Sequence, residues 1–86
     1  MVDEEKLQEV IEYMDSLSKD TAFPRNVREA ISKAKAELEK KGEEFDVRLS
    51  SAVYVIDDVS NDINVPMHAR SELWSLVSML EELKGD

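Results

Sequence analysis

An all-α fold of four antiparallel helices, arranged as two tandem α-hairpins, follows from three features of this 86-residue sequence. Apolar residues recur at helical spacing in four separate segments. Proline and glycine occur only between or after those segments, never inside them. The third feature is an internal echo: Ser18, Asp20, Pro24 and Arg28 return 42 positions later as Ser60, Asp62, Pro66 and Arg70. The register also holds through Leu7/Leu49, Asp15/Asp57, Leu38/Leu80 and Glu39/Glu81. One domain built of two repeats, about 3–42 and 45–84, is therefore expected.

The first helix is predicted from about Asp3 to Ser18. Asp3 is the candidate N-cap, Glu4 and Glu5 suit the positive end of the helix dipole, and Leu7, Val10, Ile11, Met14 and Leu17 form its stripe. The second is predicted to take Pro24 as its first helical residue and to bury Val27, Ala30, Ile31, Ala34 and Leu38. Lys40 and Lys41 are placed in its last turn and Gly42 just past it as the stop. Its alanine-rich stripe is thin, so a neighbour can come close.

For the third helix Asp46 is the expected N-cap and Ser60 the end, with Phe45, Leu49, Ala52, Val53, Ile56 and Val59 inward. Val47, Val53, Val55, Ile56 and Val59 are β-branched, but 49-52-53-56-59 is helical spacing and not the period of two that a strand needs. The fourth runs from Pro66 to near Lys84, with Gly85 as stop and Ala69, Leu73, Leu76, Val77, Leu80 and Leu83 inward. Short turns make sequential helices antiparallel, giving a four-helix bundle or two stacked hairpins.

Two resemblances bear on this reading. Leu17 and Asp20, followed by Val27, Arg28, Ala30 and Ile31, are similar to the turn and second helix of a HEAT repeat, and the 42-residue period fits helical solenoids. The turn is longer than in that motif, and Ala69-Arg70 stands where the first copy has Val27-Arg28. The whole chain, from about residue 3 to residue 84, resembles the small archaeal uncharacterised protein family 0147. The segments that carry this are Asp3-Glu-Glu-Lys-Leu7, Pro24-Arg-Asn-Val-Arg28 and Pro66-Met-His-Ala-Arg70. That resemblance implies an archaeal cytoplasmic helical protein and no particular activity.

Composition narrows the function classes. With no Cys, disulfides, thiolate zinc sites and cysteine nucleophiles are excluded. No apolar run nears about 18 residues, and the N-terminus lacks a basic-then-apolar leader, so a soluble cytosolic protein without membrane contact is expected. The net charge of −9 is uneven: residues 1–42 carry 8 Lys+Arg against 10 Asp+Glu (−2), and residues 43–86 carry 3 against 10 (−7). Nucleic acid calls for a basic footprint. Only the second helix offers one, in Arg25, Arg28, Lys33, Lys35, Lys40 and Lys41, and these are interleaved with Glu29, Glu37 and Glu39. A salt-bridged solvent face is the simpler account. An accessory of nucleic-acid machinery is the rival.

No residue pattern foretells an enzyme or a cofactor. A Gly-rich phosphate loop and a Ser/His/Asp arrangement are both missing. His68 stands alone and makes no zinc site, so a surface or turn hydrogen-bonding role is expected. Asp57 and Asp58 point about 100° apart on a helix. Glu43, Glu44 and Asp46 lack the ligand alternation of a calcium loop. In the echoed turns, Asp20 and Asp62 are expected to accept backbone N–H bonds or to clamp Arg28 and Arg70.

Comparing the copies is more telling. Four positions are polar in the first hairpin and apolar in the second: Glu5/Val47, Glu12/Tyr54, Arg25/Met67 and Ser32/Trp74. Val47 and Tyr54 share one helical face, as do Met67 and Trp74, each beside serines. This face seats the first hairpin, or it meets a second chain, as a homo-oligomer or a protein partner, or its aromatics are lone exposed side chains.

Overall fold

The computed structural model describes residues 3–84. Four helices follow one another: α1 (Glu4–Ser18), α2 (Arg25–Glu39), α3 (Phe45–Ser60) and α4 (Met67–Glu82). No strand is present among the described residues, so the all-α expectation holds. Asp3 caps α1 as its position suggests, its carboxylate accepting from the backbone N–H of Glu5 at 3.0 Å and of Lys6 at 3.3 Å.

Other boundaries shift for physical reasons. Pro24 and Pro66 each occupy the N-cap position in an extended conformation (ψ 155° and 153°), one residue before the helix rather than in it. Proline restricts the residue before it and fixes its own φ, so the chain turns from extended to helical across it. Asp46 is not the N-cap of α3. Glu44 takes that place without a side-chain bond, and Asp46 lies in the first turn, where its charge suits the dipole. At the end of α2, Lys40 and Lys41 fall outside the helix, which stops at Glu39. The Arg48 guanidinium donates to the Leu38 carbonyl at 2.8 Å and to the Lys40 carbonyl at 3.2 Å. Those carbonyls are thereby satisfied from the next helix, and Lys40 swings out to ψ 140°. Gly42 has φ +89° and marks the connecting turn instead of the helix cap. Gly85 lies outside the described residues.

The inward stripes build one core. Met14, Val27, Ala34, Ala52, Ile56, Ala69, Leu76 and Leu80 are fully buried, with Ile31, Leu38 and Leu73 almost so. Leu7, Ile11, Phe45, Val53, Val59 and Val77 pack against them half-buried. Phe23 and Val65, one from each echoed turn, are buried as well and close one end of the core.

Helix neighbours follow chain order. α2 packs most closely on α3, α1 lies on α2, α3 lies on α4, and α1 faces α4 across a wider gap. That is the order of a bundle. A solenoid would stack like on like, α1 on α3 and α2 on α4, so HEAT-like pairing is not adopted. The close α2–α3 seam has a local cause: Ala30, Ala34 and Ala52 let the backbones approach. Across the α1–α4 gap the Tyr13 hydroxyl donates to the Glu72 carboxylate at 2.7 Å.

Burial pushes the Tyr13 phenol up to about 12 from 10.0, helped by the hydrogen bond to the Glu72 carboxylate and by its charge. The fold therefore favours the neutral phenol. Its contribution is complete below pH 10 and lost as pH rises through about 12. A tyrosinate absorbance titration of Tyr54→Phe, which leaves Tyr13 alone to report, is expected to give a midpoint near 12. A midpoint at 10 would show that Tyr13 is neither buried nor bonded to Glu72 in solution.

Candidate protein-interaction face

The echoed turns share their serine and aspartate bonds. Ser18 Oγ donates to the Asp15 carbonyl at 2.8 Å, and Ser60 Oγ to that of Asp57 at 2.7 Å. The Asp20 carboxylate accepts from the Ala22 N–H and the Asp62 carboxylate from the Asn64 N–H, both at 2.9 Å. Each aspartate thus holds its own turn, a local motif for which its short side chain is suited. The arginines do something else. Arg28 Nε donates to the Phe23 carbonyl at 3.1 Å. Arg70 reaches back to the end of α3, donating from Nε to Ser60 O at 3.1 Å and from Nη2 to Asp62 O at 2.9 Å. Neither arginine forms an ion pair with Asp20 or Asp62; both guanidiniums donate to main-chain carbonyls instead.

Two contacts join the turns to each other. Asn26 Nδ2 donates to the Asp62 carboxylate at 3.4 Å, and His68 Nε2 lies 3.2 Å from the Ala22 carbonyl. The His68 ring also stacks on Phe23 at 5.9 Å between centroids. This histidine ties the second hairpin to the turn of the first. Among the described residues no group of three or more His, Cys, Asp or Glu is placed to share a metal ion.

The four candidate interface residues are all exposed: Val47 at 47%, Tyr54 at 72%, Met67 at 62% and Trp74 at 54%. They do not seat the first hairpin, which rests on α3 through α2. Sequence reasoning missed a fifth, Ile63, at 90% exposed. The signal was available, since Ile63 stands opposite Thr21 in the 42-residue register. Every large apolar side chain that is exposed among the described residues belongs to the second hairpin.

Beside these residues α3 and α4 leave a groove of about 510 Å³. Its apolar wall comes from Leu49, Val53, Tyr54 and Val77, and its rim carries Asp46, Asp57, Glu81 and Lys84. Trp74 lies one turn before Val77 on α4, and Tyr54 also borders a shallower hollow with Glu37, Ser50, Ser51 and Val55. Tyr54 therefore stands as a ridge between two depressions.

Of the basic residues on α2 and just beyond it, Arg25, Lys35 and Lys40 are paired with carboxylates, and Lys33 and Lys41 are not. Arg25 pairs with Glu29 at 3.2 Å, Lys35 with Glu39 at 3.4 Å and Asp15 at 3.7 Å, and Lys40 with Glu43 at 3.5 Å and Glu37 at 3.6 Å. Missed in the sequence was Arg48, whose guanidinium carbon lies 5.3 Å from the Phe45 ring centre while its donors close α2. It has no counterpart in the first copy, where position 6 is lysine.

Fold and surface together define a small four-helix bundle with one wet hairpin and one hairpin bearing an apolar outer face. No helix among the described residues is long and apolar enough to cross a membrane. Residues 1–83 match the model of the Uncharacterised protein family (UPF0147), and the chain belongs to that family. A UPF0147 protein of Methanocaldococcus jannaschii is 46% identical over 81 residues, covering 94% of this chain and 87% of the relative. One from Thermoplasma volcanium is 37% identical over 82 residues, covering 95% and 92%. The crystal structure of a family member from Thermoplasma acidophilum superposes with a TM-score of 0.86 at 37% identity, over 94% of this chain and 95% of that one. None of these relatives carries an enzymatic name.

Proposed function

We propose that this protein is an interaction module whose working surface is the outer face of α3 and α4, with Tyr54 and Trp74 as anchors and Val47 and Met67 beside them. What carries the reading is the one-sided distribution of exposed apolar residues: all lie in the second hairpin, opposite polar residues in the first. A core does not need them, for it is already closed by the inward stripes. In water each costs solubility, and contiguous exposed apolar surface is most often covered by a partner. Tryptophan and tyrosine are the side chains that most often dominate binding energy when buried at an interface.

The rival reading, contact with nucleic acid through α2, draws less support because Arg25, Lys35 and Lys40 are already paired with carboxylates. The experiment uses the internal echo as its control. A photo-crosslinking amino acid at position 74 is expected to trap a discrete protein in extract of the source cells, and the same residue at position 32, the equivalent exposed site of the first hairpin, is not. Equal trapping at both positions, or none at 74, would overturn the reading.

A further inference from the structure

We infer that the occupant of the α3–α4 groove is a cationic amphipathic helix of a partner protein, with lysines or arginines flanking an apolar row, and not a second copy of this chain. The inference rests on the interaction face proposed above and concerns only what covers it. Its physical basis is a contrast in how the two halves handle charge. Every ion pair among the described residues falls between residues 15 and 43. On α3 and α4 no lysine or arginine neutralises Asp46, Asp57 or Glu81, although these carboxylates stand at the mouth of an apolar groove. Of the three cations in this half, Arg48 and Arg70 turn in to main-chain carbonyls at helix ends, and Lys84 stands on the groove rim without an ion pair to any of the three carboxylates.

Covering such a groove removes water from the carboxylates. Without a counter-charge that desolvation opposes binding, whereas a cation placed there recovers it and rejects wrong partners. A second copy brings the opposite of what is needed. Two-fold pairing of this face would bring the three rim carboxylates of each copy together with only one rim lysine from each, Lys84, in a half that carries −7 overall. A helix suits the site because the groove lies between two neighbouring helices of 16 residues each, α3 and α4, a setting in which an amphipathic helix can lay its apolar row.

The single tryptophan makes the test direct, since Trp74 is exposed on α4 one turn before Val77 of the groove wall. Two synthetic helices are titrated into the whole protein: one with a leucine row flanked by lysines, the other identical but with glutamates for lysines. The lysine helix is expected to shift Trp74 emission to the blue and to bind more weakly as salt is raised; the glutamate helix is expected to do neither. Asp57→Lys with Glu81→Lys is expected to weaken the lysine helix at least tenfold, while Glu9→Lys with Glu12→Lys, the same charge change on α1, leaves it within about twofold. Circular dichroism confirms that both variants fold. Equal binding of the two helices, equal weakening by the two variants, or no Trp74 shift at all would each overturn the inference, as would a dimer that buries Trp74 in the protein alone. Position-74 crosslinking then reports separately whether the face binds any protein.

Discussion

Replacing Leu76 by alanine is expected to destabilise the protein by about 2–5 kcal/mol. Leu76 is fully buried at the centre of α4, in the core to which all four helices contribute. Truncation removes three buried carbons and leaves a cavity that straight, packed helices cannot readily close. In a domain of this size each kcal/mol moves the melting temperature by roughly 4–8 °C, so a drop of about 8–40 °C is expected. Small domains have only about 5–15 kcal/mol in total, which places this variant near the limit of folding. Tyr54→Ala is the contrast. Its side chain is mostly in solvent, and its effect is expected to stay within about 0.5 kcal/mol. Urea unfolding of both variants measures the pair. A Leu76→Ala effect below about 1 kcal/mol would mean that α4 does not sit in a packed core.

Arg70→Ala is expected to cost about 1.5–3 kcal/mol, the range for hydrogen bonds from a charged group whose loss leaves acceptors unpaired. The half-buried Arg70 guanidinium holds the carbonyls of Ser60 and Asp62 and so closes α3 from the first turn of α4. Arg70→Lys is expected to recover less than half, because an ammonium cannot reproduce a planar fork reaching two carbonyls. A double-mutant cycle with Asp62→Ala then decides what the arginine grips. The structure puts it on the main-chain carbonyl of residue 62, which survives the alanine substitution. Coupling is therefore expected within about 0.5 kcal/mol. A carboxylate clamp would give a coupling well above that. The same experiment on Asp20 and Arg28 is expected to behave alike, since Arg28 also holds a carbonyl.

Such turns show where sequence reasoning carries and where it stops. A carboxylate two residues before a free N–H makes its bond locally, and Asp20 and Asp62 could be read that way from spacing alone. A guanidinium on a long stem chooses among several acceptors within reach. Whether Arg70 meets the Asp62 side chain or its carbonyl depends on the path of the chain between α3 and α4, which spacing does not encode. Arg48 makes the point more sharply. It reads as an ordinary surface cation near the start of a helix, yet it determines where α2 ends and why Lys40 and Lys41 lie beyond that end.

Local physics written into the chain settled the four helices and their inward stripes and marked the two aspartates as turn residues, because each depends on residues within a turn or two of one another. The four apolar positions on the second hairpin were legible for the same reason, as was Ile63 had Thr21 been compared with it. Only the tertiary structure decided which helices share a seam. Alanines at 30, 34 and 52 draw α2 onto α3, α1 stands off from α4 across the Tyr13–Glu72 bond, and the two echoed halves therefore meet unequally. That choice leaves Tyr54 and Trp74 in water instead of beneath the first hairpin. It depends on the summed packing of surfaces far apart in the chain, and no single stretch of sequence contains it.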